Sequence, residues 1–536
     1  MTRHTTSFIF AFLIATCGFA QPVITSNRVV NSATYLSQGL PGSGIAQGSI
    51  FTIFGSGLGP NTLVQAGALP LQTSLGGTSV AVTVGGQTVK AYMLAAVSYQ
   101  VNALLPSTTP TGSGFVTVTF NNQTSAPEPV QIVTASFGTY TFYSSGTGQA
   151  VATDLNYVSN SIIRTFHPGD WVILWGTGLG PINGDDSKAP PVGNLGSPTV
   201  YIGNTSLTPY YAGRSASFPG LDQVAFQIPA GIQGCGVPVA VGTNGVVSQT
   251  STIAVSASGQ TCPDSILGPD LINKLASGGT VDFGFVQLFA IILRSQTLPS
   301  GIIAPDFGQA TFSEFTPQTA GLASYGVSQG YCITNNDPDM SPGQLDAGAA
   351  VTVQGLSTAT LPQLSPGWGY YYLGFFSGAQ FFWSGLNYSV SAPGGAKVGA
   401  FSVTDTTSIP SAYFSGIIAG QTIPRSSNLT VTWTGGDPTL ENGMVTIAGA
   451  SNGNSSGSIF GGFMCTAPLS AKSFTIPQWV LSTMPPTATA YIGIAPYPLG
   501  YIWIGQANNP VVFQAKGLDR GVLMDEFFNG YPVYFQ

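Results

Sequence analysis

The chain predicts an all-β protein, and three observations carry that expectation. Of 536 residues, 70 are glycine and 38 proline, while only 6% are charged and 43% hydrophobic, which fits turn-rich β modules better than helical bundles. Short β-branched and aromatic runs recur between clusters of glycine, asparagine and proline. One such stretch occurs twice: Gly48-Ser49-Ile50-Phe51-Thr52-Ile53-Phe54-Gly55-Ser56-Gly57-Leu58-Gly59-Pro60 returns as Gly169-Asp170-Trp171-Val172-Ile173-Leu174-Trp175-Gly176-Thr177-Gly178-Leu179-Gly180-Pro181. Each copy reads as a strand running into a tight turn.

At ~100–200 residues per domain the length implies three or four cores. Residues 1–20 have the parts of a secretory signal: Arg3 and His4, an apolar run from Phe8 to Ala15, and Gly18-Phe19-Ala20 as a small-x-small cleavage site. Cleavage before Gln21 and export are therefore expected. A lipoprotein signal fits only loosely, because Thr16 is a poor residue before an acylated Cys17. No later apolar run reaches the ~18 residues of a membrane helix.

The first copy of the repeat spans residues 21–136 and the second 137–262. Leu75-Gly76-Gly77-Thr78-Ser79-Val80 matches Leu195-Gly196-Ser197-Pro198-Thr199-Val200, and Gln100-Val101-Asn102-Ala103-Leu104-Leu105-Pro106 matches Gln223-Val224-Ala225-Phe226-Gln227-Ile228-Pro229. Gly85-Gly86, Gly203-Asn204 and Asn244-Gly245 mark hairpins. About seven short strands per copy imply an antiparallel sandwich. Alternation puts Phe51 and Ile53, like Val172 and Leu174, on the core face.

These blocks, with Cys235 and Cys262, resemble the uncharacterised repeat domain of secreted acidobacterial proteins, itself similar to the IPT/TIG immunoglobulin-like fold. The resemblance covers roughly residues 24–262 and implies tandem extracellular immunoglobulin-like sandwiches. It implies no catalytic residue. The first copy departs from it by lacking the cysteine pair. An exported chain favours paired cysteines, so Cys235 with Cys262 and, by elimination, Cys332 with Cys465 are the expected disulfides.

Beyond the repeats, residues 263–280 read as a linker with a turn or two of helix before Gly278-Gly279. Residues 281–536 read as a larger β-rich unit, either one domain or two packed sandwiches, with strands at Ala350-Val351-Thr352-Val353, Leu429-Thr430-Val431-Thr432-Trp433 and Tyr491-Ile492-Gly493-Ile494.

Several chemistries are poorly seated. Zinc lacks ligands: there is no Cys-x-x-Cys, and past residue 20 the one histidine is His167. Two G-x-S-x-G matches, starting at Gly326 and Gly453, have no histidine after them. The repeated glycine motif runs into proline rather than a helix that could hold phosphate. A net charge of −7, or −8 without Arg3, with no basic cluster, disfavours nucleic acid and anionic lipid. Between Gln21 and Pro127 there is no acid at all, so glycosidase-type carboxylates would have to come from the C-terminal acids Asp306, Glu314, Asp346, Asp437, Glu441, Asp525 and Glu526. Asn335-Asn336-Asp337-Pro338-Asp339 reads as a turn before it reads as a calcium loop. No cofactor and no metal are expected.

The densest local feature is aromatic: Trp368, Tyr370, Tyr371, Tyr372, Phe375, Phe376, Phe381, Phe382, Trp383 and Tyr388. One core cannot obviously take them all, so Trp368, Tyr370, Tyr371, Tyr372 and Trp383 stand as ligand-binding candidates. The expected function is non-catalytic: an exported or cell-surface protein acting in extracellular binding or architecture, with a glycan or protein as partner. The rivals are a secreted carbohydrate-active hydrolase using the C-terminal acids, and an outer-membrane β-barrel. The barrel reading calls for ~10-residue alternating strands, and the strands read here are shorter.

Overall fold

The computed structural model describes residues 21–142, 144–262, 266–295, 302–303, 306–320, 327–335, 345–373, 387–406 and 408–536. The expected leader, most of the Asn335–Asp339 stretch and five of the aromatic residues (Phe375, Phe376, Phe381, Phe382, Trp383) lie outside these residues.

The protein is all-β, and the doubled motif strand sits inside a sheet both times. In the first sandwich one sheet orders Val23–Asn31, Ile50–Ser56, Gln100–Leu104 and Tyr92–Val97. The facing sheet orders Glu128–Val133, Gly112–Phe120, Thr78–Val84 and Gln87–Lys90. The second sandwich repeats this order, with Gly138–Thr139, Trp171–Thr177, Asp222–Gln227 and Tyr211–Arg214 against Ser251–Val255, Gly234–Thr243, Thr199–Ile202 and Thr205–Leu207. The pairing register agrees too: Ile53 lies opposite Val101 as Leu174 lies opposite Val224.

Phe51, Ile53, Val172 and Leu174 are all buried in their sandwich cores. Each fully buried side chain of this size stabilises by about 1.5–3 kcal/mol relative to exposure. The glycine that ends the second motif strand is required by geometry. Gly178 has φ +108, and a Cβ there would lie 2.1 Å from the carbonyl oxygen of Ser136.

The two sandwiches meet through buried polar bonds. Arg214, on the strand Tyr211–Arg214, pairs with Asp222 inside the second sandwich. The same guanidinium donates to the carbonyl of Gly48 in the first sandwich and, at 2.8 Å, to that of Gly180. Asp222 also accepts from the Leu179 amide at 2.8 Å. Nearby, Asp186 accepts from the amide and hydroxyl of Ser107, both at 2.7 Å, and the Ile50 amide donates to the Thr177 hydroxyl at 2.9 Å. Burial pushes the carboxyls of Asp186 and Asp222 up, against the pull of these donors and of Arg214. The doubled motif therefore builds the junction as well as each core.

The segment expected to be a linker is part of a core. Gly268–Ala276 is an α-helix with proline in its first turn, and its Leu271, Ile272 and Leu275 are buried against Phe283, Phe315 and the Cys235–Cys262 disulfide. The apolar spacing of those three residues, unbroken by glycine until Ser277 is passed, gives the helix a buried face.

The C-terminal unit is built on one large open sheet running from Cys332–Asn335 at one edge to Tyr370–Leu373 at the other. At its centre two long strands, Val281–Arg294 and Arg520–Phe535, pair in parallel. The expectation of short strands fails here: both strands are buried along most of their length, and the Asn529-Gly530 step inside the second, which reads as a turn, is instead paired with Ile504 and Trp503 on one side and with Ile292 and Leu293 on the other. A four-stranded sheet containing Ala350–Gln354, Tyr388–Ala392 and Phe401–Asp405 covers one stretch of the large sheet, and Ala412–Ser415, Leu429–Gly435 and Ser473–Ile476 cover another. Leu523 and Phe527 enter the first of these cores and Val533 and Phe535 the second. The unit is thus two sandwiches sharing one sheet.

Both disulfides are present, Cys235–Cys262 and Cys332–Cys465. Cys332 and Cys465 are directly opposed across neighbouring strands.

Candidate functional site

A groove of about 480 Å³ opens where the second sandwich meets the C-terminal unit. Strand alternation makes one wall: in Thr199–Ile202, Val200 and Ile202 go into the sandwich core and Tyr201 points out of it. The other wall is the strand Ser473–Ile476, with half-buried Phe474 and exposed Thr475, followed by Pro477 and the short helix Gln478–Leu481 carrying Trp479. Trp479 is 7% exposed and stacks on Tyr201 with centroids 5.3 Å apart and planes 26° from parallel.

Polar side chains ring these aromatics. The Asn428 carboxamide oxygen accepts from the Gln478 amide at 2.7 Å, which fixes the start of the short helix. The Thr475 and Thr430 hydroxyls lie 2.9 Å apart. Asn204 donates to the Gly330 carbonyl at 2.7 Å, tying the hairpin Thr199–Leu207 to the C-terminal unit. Asn204, Thr205, Ser206 and Asn428 are exposed, and no lining residue carries a charge. Apolar rings with a few placed hydroxyls and carboxamides suit a neutral polyhydroxylated ligand better than an ion.

The aromatic candidates separate by strand alternation. Tyr371 is buried in the C-terminal core, where its hydroxyl donates to the Gly348 carbonyl at 2.8 Å and accepts from the Ala347 amide at 3.0 Å. Burial pushes that phenol up to about 12. Tyr371 is a packing residue, and the expectation that it binds a ligand is withdrawn. Tyr388 is buried as well. Tyr370 and Tyr372 leave on the opposite face with ring centroids 6.3 Å apart, and Trp368 is 51% exposed. Trp383 lies outside the described residues.

The C-terminal acids do converge, but inside the protein. Asp525 and Glu526 are neighbours on the long strand Arg520–Phe535 and face opposite sides of it. Asp525 is fully buried near Asp405 and Tyr388; burial first, then Asp405, pushes its carboxyl up to about 8. The Tyr388 hydroxyl pulls the other way but does not offset the burial and the neighbouring carboxyl, which favour the protonated acid. Glu526 is pushed up to about 8 by burial and then by Glu441, while accepting from Gln287 at 2.5 Å. Glu441 rises to about 7 through burial, with bonds from the Ala507 amide and the Thr446 hydroxyl. Asp346 accepts from the amides of Gly348 and Ala396 and from Gln363, a turn-holding role that lowers its pKa. Asp437 caps Thr439, Asp306 is buried and Glu314 is exposed.

Neither a protein-family model nor a curated protein matches the chain. Among solved structures it is similar to a surface glycan-binding protein of Bacteroides ovatus in complex with a mixed-linkage heptasaccharide, at 12% identity, 75% of this chain, 86% of that chain and a TM-score of 0.14. It is also similar to the S-layer protein SbsC, at 12% identity, 95% of this chain, 54% of that chain and a TM-score of 0.18. Scores this low carry no argument about the ligand, and the sandwich architecture rests on the sheets themselves.

Proposed function

We propose that this is a non-catalytic extracellular binding protein that holds a neutral glycan in the groove between the second sandwich and the C-terminal unit. The observation that carries the reading is the half-buried Tyr201 and Phe474 rings in the groove, Tyr201 braced by stacking on the buried Trp479, bordered by uncharged Asn, Thr and Ser side chains. Sugars present apolar ring faces to such aromatics and hydroxyls to carboxamides. Two disulfides suit a chain that folds in an oxidising compartment, which supports export. Kinship with the secreted acidobacterial repeat and its IPT/TIG-like fold belongs to the same proposal, supported by the shared strand order of the two sandwiches. Burial of the paired acids favours binding over glycoside hydrolysis, since a cleft must admit substrate between the carboxyls.

A neutral-glycan array probed with the chain starting at Gln21 tests this. Tyr201→Ala and Phe474→Ala should each weaken a positive signal about tenfold, the scale of one lost stacking contact. A signal lost instead in Trp368→Ala and Tyr372→Ala would move the site to the outer aromatic face. Absence of any saturable signal would leave architecture as the function.

A further inference from the structure

The first junction holds a second, smaller cavity, of about 190 Å³, between the two sandwiches. Its first-sandwich side presents Arg28, Tyr35 and Phe54, and its second-sandwich side Ser144, Ser145 and Gln249. The Arg28 guanidinium lies over the Phe54 ring, 5.7 Å from its centroid, and Tyr35 packs on the same ring at 6.0 Å. Arg28 is exposed and forms no ion pair with any described residue. Gln249 is buried and closes the floor of the cavity, its carboxamide oxygen packed against Gly146.

Two of the left-handed non-glycine residues among the described residues also fall here. Tyr35 and Ser144, one from each sandwich, both have φ +53, the left-handed region that tyrosine and serine seldom occupy. Strain of this kind persists where the surroundings over-determine it, and it gathers at ligand sites. A planar cation held on an aromatic face is pre-oriented for a carboxylate.

We infer that this junction pocket binds one carboxylated sugar unit, a uronic acid, with its carboxylate on Arg28 and its apolar face toward Phe54 and Tyr35. The volume is below the ~300–1,000 Å³ of drug-sized sites and suits a single ring. The neutral groove has no cation, so the two sites take ligands of different charge, and neither inference depends on the other.

Isothermal titration of the chain from Gln21 with glucuronate, glucose and acetate, at low salt, tests the assignment. Glucuronate should bind saturably, glucose and acetate at least tenfold more weakly, and added salt should weaken glucuronate. Arg28→Ala, an exposed substitution that should leave thermal melting unchanged, should lower glucuronate affinity at least tenfold, Arg28→Lys should lower it less, and Tyr201→Ala should not change it. Equal binding of acetate and glucuronate would reduce the pocket to a carboxylate contact and overturn the sugar assignment. Unchanged affinity in Arg28→Ala, or no saturable binding of glucuronate, would overturn the site.

Discussion

The two junctions of this protein are held by different physics. Where the sandwiches meet, the contact is polar and buried: Arg214 links Asp222, Gly48 and Gly180, and Asp186 grips Ser107. Where the second sandwich meets the C-terminal unit, Ala240 and Val247 join an apolar core, Tyr201 stacks on Trp479, and Thr250 and Thr334 exchange bonds from their amides at 2.9 and 2.7 Å. A polar junction fixes one register, because a shifted guanidinium would leave buried groups unpaired. The second junction combines buried threonine bonds with an apolar core and leaves half-buried rings at its rim, and the groove lies there.

The largest effect that would sharpen this contrast is at the first junction. Arg214→Ala strands Asp222 as a buried, unpaired carboxylate and should cost about 3–5 kcal/mol in urea unfolding. A loss below about 1 kcal/mol would mean the clasp is dispensable. Next comes Cys235→Ser with Cys262→Ser, which opens a loop of 27 residues beside the second junction. The chain-entropy relation puts that loss at about 3–4 kcal/mol by the same measurement. Smaller again, Thr250→Val leaves the Thr334 amide without its acceptor, and about 1–3 kcal/mol is expected.

The buried acids of the C-terminal unit should add a pH dependence of the same sign as that of Asp186 and Asp222 in the sandwiches. Asp525 and Glu526 titrate at about 8 in the folded protein, against ~4 unfolded. Between those values the folded state binds more protons, so their contribution makes stability fall as pH rises from ~4 toward 8. Thermal melting of Asp525→Asn and Glu526→Gln should show a shallower decline over that window. An unchanged slope would show that these acids are not held protonated.

The fold was legible wherever one short segment carried its own pattern. The doubled motif, the hairpin turns at Gly85-Gly86 and Asn244-Gly245, and the inward face of Phe51 and Ile53 are local facts of alternation and turn chemistry. The long parallel strands were not legible, because Val281–Arg294 is too continuously apolar to show a period and Asn529-Gly530 and Pro532 punctuate Arg520–Phe535 with turn residues. The helix Gly268–Ala276 was read as linker because nine residues beside a double glycine give a weak signal. The groove escaped entirely: Tyr201 and Phe474 come from separate strands, Asn428 from a loop and Trp479 from a short helix, and nothing local marks them as neighbours. The aromatic run drew attention by density, yet its Tyr371 and Tyr388 serve packing.

Hydrogen–deuterium exchange of the chain from Gln21, with and without a saturating neutral oligosaccharide chosen from the array, tests the central claim most directly. Protection concentrated at residues 199–206, 428–430 and 473–479 is the result expected. Protection at residues 368–372 with none along the groove would contradict it.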